Sequence, residues 1–249
     1  RFIDADLLVN WQRLVKSEAE IGMMRGAAKI AEATMQRAWD GARAGIRQCD
    51  LMADVIATQI SGTPQAGGDM AALHPLILAG EAATTAHPMW TDAPLADGQT
   101  IAFELGGCMK RYNVGLARTV HLGTPPDNLH RTAEAVEEGM AAVMDSLKPG
   151  VVAGDVHAAW QGVLDRYGLE KPSRIGYSIG VGYAPDWGEH TLSFRPRETT
   201  LVPEHAVVHV ILGMWMDDWG MELSETLHVR GGGCERLCDF PQHVHVVGT

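Results

Sequence analysis

Apolar residues recur at helical spacing after Ser17-Glu18-Ala19-Glu20, where Ile21, Met24, Ala28 and Ile30 follow a Ser-x-x-Glu capping signature, and this predicts a long helix ending near Gly41 to Gly45. Asp50 is expected to open a second helix running to Ile60. Short apolar runs around Pro75 to Leu78, Thr100 to Leu105 and Ala117 to Leu122 then read as strands. The second half repeats the scheme, with helices at 128–147 and 155–167 around a Pro149-Gly150 break and strands near 173–183, 206–215 and 221–229. A short signature occurs twice, Gly45-Ile46-x-x-x-Asp50-Leu51 and Gly150-Val151-x-x-x-Asp155-Val156, with both Gly and Asp offset by 105 residues. The expectation is an internal duplication in which the Gly ends one helix and the Asp caps the next. Two helix-helix-strand halves give an α+β fold class, with helices outside a curved antiparallel sheet.

Composition narrows this picture modestly. A chain of 249 residues with 46% hydrophobic and 6% aromatic content has enough apolar surface for one large core. Residues 1–15 look like a strand and linker from a domain further upstream, and 16–249 like one catalytic domain; the absence of an initiator Met fits the C-terminal part of a longer protein. The balance of 20 Lys+Arg against 31 Asp+Glu, net −11, with no basic cluster, argues against nucleic acid as a partner. No apolar run approaches the ~18 residues of a membrane helix, and no signal peptide is evident, so a cytoplasmic protein without membrane partners is expected. Cys49, Cys108, Cys234 and Cys238 form no paired framework. His243 and His245 lie near the last two, but the alternating tail reads more simply as an edge strand with its imidazoles facing water.

The candidate chemistry starts at His87, which precedes Glu104 by 17 residues. Imidazole titrates near neutral pH and suits proton transfer, although Pro88 and Trp90 also suit a plain surface loop. Glu104 follows Ile101-Ala102-Phe103, so its carboxylate is expected near the end of a buried strand, where it is either paired with a neighbouring Arg or held for catalysis. Two further stretches, 177–189 and 215–222, are dense in Gly, aromatics and acids. They fit either structural loops and turns or an acidic, aromatic pocket for a small delocalised cation.

The spacing of His87, Glu104 and the Arg118-Thr119 pair resembles the core of the creatinase, prolidase and methionyl aminopeptidase superfamily, from about Lys16 to Val229. That resemblance implies the pita-bread fold. In the superfamily's metal enzymes two Asp, one His and two Glu hold two metal ions. Those five positions fall here on Glu104, Gly115, Tyr177, Ile211 and Ser224, so only Glu104 could still donate a ligand. The segments VNWQRLVKS, KRYNVGLARTVHLG, GYSIGVGYAPDWGE and GMWMDDWGMELSET are similar to those of ectoine hydrolases, a metal-free branch. This implies hydrolytic opening of a cyclic amidine to an N-acetylated diaminobutyrate, with no metal and no cofactor. His87 and Glu104 would be catalytic, and Tyr177, Asp186, Trp187, Trp215, Asp218, Glu222 and Glu225 would bind the small-molecule substrate. Either Arg118 or Arg174 would meet its carboxylate. A homodimer is expected by analogy. Ala117, where creatinase has a Glu, removes one anchor for a guanidinium and ranks creatinase-type hydrolysis second. A non-catalytic binding module of the same fold would have lost His87, and a metal-dependent aminopeptidase ranks last.

Overall fold

The computed structural model describes residues 2–248. The long helix forms where the capping box places it. In α2 (Glu18–Gly41) the Ser17 side chain accepts from the Glu20 N–H and the Glu20 carboxylate accepts from the Ser17 N–H, satisfying two end-of-helix donors. Its apolar stripe, including Ile21, Met24, Ala28, Ala31 and Met35, is fully buried against the first half of the sheet. Before it, the expected strand is corrected: Leu8–Leu14 is a helix, α1. Asn10 and Arg13 of α1 donate to the carbonyls of Glu189 and Val181, which anchors it through polar contacts while Leu8, Val9 and Trp11 stay exposed.

The remaining helices are α3 (Gln48–Ser61), α4 (Asp127–Ser146) and α5 (Ala153–Tyr167). The strands are β1 (Leu76–Ala79), β2 (Thr100–Met109), β3 (Tyr112–Leu122), β4 (Gly176–Tyr183), β5 (Asp186–Phe194), β6 (Val207–Trp215), β7 (Gly220–Arg230), β8 (Gly233–Arg236) and β9 (His245–Val247). They run in one sheet in the order β1-β2-β3-β4-β6-β7-β8, with β5 on β4 and β9 on β3. All pairings are antiparallel except β3–β9. The helices pack outside this curved sheet over two main cores, one under α2 and α3 and the other under α4 and α5. This is the pita-bread architecture.

The duplicated signature marks equivalent places, with one correction. Asp50 and Asp155 sit in the first turns of α3 and α5, whose caps are Arg47 and Val152, and so cap neither helix. What repeats is a crossing of chains. Gly45 N–H donates to Leu95 while Leu95 N–H donates to Ile46, and Gly150 N–H donates to Val202 while Val202 N–H donates to Val151. Both glycines take φ of +85°, a left-handed conformation that side-chain-bearing residues avoid. The tail also differs from its solvated reading: β9 pairs with β3, and the His245 ring stacks on Trp39 at 4.3 Å. The four cysteines are free, and Cys238 is buried.

Candidate active site

A cavity of about 360 Å³ opens between the two halves, where β2, β4, β6 and β7 converge with the loop that follows β1. Its size sits at the small end of ligand pockets. Glu104 reaches it from β2 with 4% of its surface exposed. One of its carboxylate oxygens, Oε1, has no hydrogen-bond partner, and no Lys or Arg pairs with it among the described residues, so the structural ion-pair reading has no support. Burial without a counter-ion pushes its pKa up to about 7, because desolvation penalises the charged form. Glu222 enters from β7, equally buried and also with an unpartnered Oε1. Burial, and then the nearby Glu104 charge, raise its pKa well above the usual carboxylate range.

His87 lines the same cavity from the loop after β1, at its exposed rim and with a backbone φ of +69°. That left-handed conformation costs a non-glycine residue roughly 1 kcal/mol and is retained where the surroundings impose it. Burial, followed by the charge of His74, lowers its pKa, so the ring is neutral at pH 7.

Tyr177 from β4 forms the aromatic floor: its hydroxyl accepts a 2.9 Å bond from Trp187 Nε1, and burial pushes its pKa upward. Trp215 from β6 and Asp186 from β5 complete the rim among the expected residues. Trp187, 1% exposed, does not face the cavity; its ring packs against Gly106 and steadies the Tyr177 hydroxyl from behind.

Two further expected binding residues lie away from the cavity. Asp218 is on the β6–β7 turn, which the 2.8 Å bond from Met216 N–H to the Trp219 carbonyl closes, and it borders a separate surface hollow with His121. Glu225 is on β7 but on the opposite face from Glu222, because strand side chains alternate. There it forms a fully buried 2.6 Å ion pair with Arg118, supported by Gln242 at 2.9 Å and Arg236 at 3.1 Å. Arg118 is therefore committed, with further bonds to the carbonyls of Ser224 and Phe240, and cannot meet a substrate carboxylate. Sequence reading missed Lys171 and Ser173, which line the cavity beside Arg174, and it also missed His209. Lys171 and Ser173 stood in an unremarkable Lys-Pro-Ser-Arg stretch, and His209 in an apolar strand.

His209 decides whether metal ions fit. It is fully buried on β6, its Nε2 is 2.8 Å from Ser224 Oγ, and burial drives its pKa down to about 3. A Cβ added at Gly115 would stand 2.6 Å from His209 Cε1, so the imidazole occupies the space of a side chain at that position. Ser224 Oγ in turn accepts from the Ala117 N–H at 2.7 Å. Among the described residues no group of three or more His, Cys, Asp or Glu is arranged to hold a metal ion. The side chains present do not fit a two-metal centre.

Comparison with known proteins agrees with this geometry at the level of fold and family. The chain is 37% identical over 252 residues to an ectoine hydrolase of Halomonas elongata, covering 99% of this chain and 63% of that protein. It is 38% identical over 245 residues to an uncharacterized hydrolase/peptidase of Sinorhizobium fredii, covering 98% of this chain and 62% of that one. The chain thus spans under two thirds of the length of these relatives. Among solved structures, an X-Pro aminopeptidase of Thermotoga maritima superposes with a TM-score of 0.90 at 23% identity, over 99% of this chain and 68% of its own. A prolidase of Pyrococcus furiosus gives 0.88 at 20% identity, over 96% and 69%. Residues 22–231 match the model of metallopeptidase family M24, and the chain belongs to that family.

Proposed function

We propose that this chain carries the catalytic site of a hydrolase that opens the cyclic amidine ring of ectoine to N-acetyl-2,4-diaminobutyrate without a metal. The observation that carries the reading is Glu104: a buried carboxylate with a free oxygen and no counter-ion, on the wall of a small cavity. The superfamily resemblance, which puts the other metal-ligand positions on Gly115, Tyr177, Ile211 and Ser224, supports a reaction without a metal. The ectoine hydrolase relative supports the choice of substrate.

A protonated amidine is delocalised and cationic, so its central carbon is electrophilic without a Lewis acid. The buried acids Glu104 and Glu222 attract it. Glu104 then delivers the attack on the amidine carbon, directly or through a water that it deprotonates. The new C–O bond forms, and as the adduct collapses one C–N bond breaks with its electron pair on nitrogen. In the water route neutral His87 takes the second proton of the attacking oxygen and passes it to that nitrogen, and the proton Glu104 took completes the ammonium; in the direct route His87 draws the proton from a water, and the hydroxide left behind breaks the bond between Glu104 and the substrate carbon, releasing the amide and the carboxylate. The balance is amidinium plus water to amide plus ammonium.

The pH profile of ring opening tests these assignments. Both groups act deprotonated, and kcat/KM reports the free enzyme. Glu104 titrates at about 7, whereas His87 lies below its usual 6.5. kcat/KM is therefore expected to rise tenfold per pH step below Glu104's pKa and to level off above about pH 7. A rise complete below pH 5 would remove Glu104 from the reacting position.

A further inference from the structure

The proposed amidine chemistry uses one wall of the cavity. The opposite wall is cationic and has no internal use. Lys171 is 6% exposed, yet its ammonium has a single hydrogen bond, 2.8 Å to Ser173 Oγ, and no carboxylate within ion-pair distance among the described residues. It lies 4.2 Å from the centre of the Trp215 ring. Arg174 makes no hydrogen bond or ion pair among the described residues, and its guanidinium lies over the Tyr177 ring at 4.4 Å. Each cation lies over an aromatic face, and neither is paired with a carboxylate among the described residues.

Placing a lysine where little water reaches it, with no carboxylate against it, costs free energy unless something else supplies the charge. Glu222 is the one acid felt by Lys171, and it lies beyond ion-pair distance. The other charged or titratable groups on this cavity are Glu104, His87, Asp186 and Tyr177, and no salt bridge joins any of them to Lys171 or Arg174. The cavity is thus dipolar, with two unpartnered acid groups on the β2 and β7 side and two unpartnered cations from the segment leading into β4.

We propose that Lys171, Ser173 and Arg174 form a carboxylate-binding subsite, so that the site selects dipolar amidines carrying a carboxylate over amidines that lack one. This rests on the amidine reading of the same site. It also assigns the carboxylate partner that Arg118 cannot be. The orientation follows: the amidinium lies toward Glu104 and Glu222 and the carboxylate toward the β4 entry. Charge complementarity at both ends then fixes which carbon faces Glu104.

The test compares ectoine with 2-methyl-1,4,5,6-tetrahydropyrimidine, the same ring without the carboxylate, in the intact protein and in the Arg174→Met and Lys171→Met variants. Binding is followed by calorimetry and ring opening by NMR. The parent is expected to favour ectoine by about 10- to 100-fold, the range of one to two charge-assisted bonds. Each variant is expected to lose most of that preference through weaker ectoine binding, with the decarboxylated ring unaffected. Lys171 is buried, so its variant has a folding risk; Arg174 is exposed, and its variant decides alone if the other fails to fold. An unchanged preference in Arg174→Met, with ectoine still opened, overturns the subsite and leaves the amidine reading standing. If neither ring binds or opens in the folded parent, the amidine reading falls and the subsite with it.

Discussion

The Glu104→Gln protein is expected to fold, to bind substrate and to open essentially no ring, losing at least about 10³-fold in kcat, within the range for removal of a positioned acid-base group. Glutamine preserves the shape of the side chain and removes both its nucleophilicity and its basicity. His87→Ala is expected to lose about 10²- to 10⁴-fold for want of the proton carrier. These losses are separable from unfolding, because Glu104 contributes to stability with the opposite sign. Burial raises its folded pKa from 4.5 to about 7. Between those values the folded state holds a proton that the unfolded chain has released, so this group's effect on stability becomes unfavourable as pH rises from 4.5 to 7 and is fully unfavourable above that. Glutamine has no such dependence. Urea unfolding at about pH 8 should therefore find Glu104→Gln more stable than the parent, whereas a less stable and inactive variant would mean that Glu104 is structural. That pairing of higher stability with lost activity marks a residue held in an unfavourable environment for its chemistry.

Gly115→Asp, which puts a carboxylate at the position where the superfamily resemblance implies a metal ligand, is expected to destabilise the protein by about 3 kcal/mol or more and to create no metal site. The new Cβ would meet the His209 ring at 2.6 Å. That ring cannot move aside cheaply, because Ser224 holds it at 2.8 Å and Tyr177 and Trp187 present their edges to it at 5.9 and 5.5 Å. The aspartate would also be buried with no ion-pair partner within reach, since Arg118 is on the other face of β3 and already engaged with Glu225. Combining Gly115→Asp with His209→Ala should recover part of the loss by making room. A urea midpoint for Gly115→Asp equal to the parent's, with stoichiometric bound metal after dialysis, would show that His209 does not plug the cage.

Much of the fold was legible because local chemistry and tertiary packing agree. The capping box at Ser17 and Glu20, the apolar stripe of α2 and the apolar runs of β2, β3, β6 and β7 all lie where their patterns put them. β5 was less visible, since Pro185 just before it and Trp187 and Gly188 in its first half look like loop residues, and only pairing with β4 makes this segment a strand. Helix α1 was missed because, Leu14 apart, its apolar residues are exposed or half-exposed and form no buried stripe. In the site, the spacing of His87 and Glu104 led to one cavity, and Tyr177, Asp186, Trp215 and Glu222 line it as well. Glu225 and Trp187 went astray because composition does not tell which face of a strand a residue occupies; alternation from Glu222 could have assigned Glu225 to the far side. His209 and Lys171 had no signal at all, since their meaning comes from neighbours distant in sequence, Gly115 and Ser224 for one and Trp215 and Glu222 for the other.

The most direct test of the central claim is to incubate the intact protein with ectoine in excess chelator and follow ring opening by NMR. The expected result is N-acetyl-2,4-diaminobutyrate, formed at a rate that neither chelator nor added divalent metal changes. A folded protein that leaves ectoine intact, or one whose activity disappears with chelator and returns with metal, would contradict it.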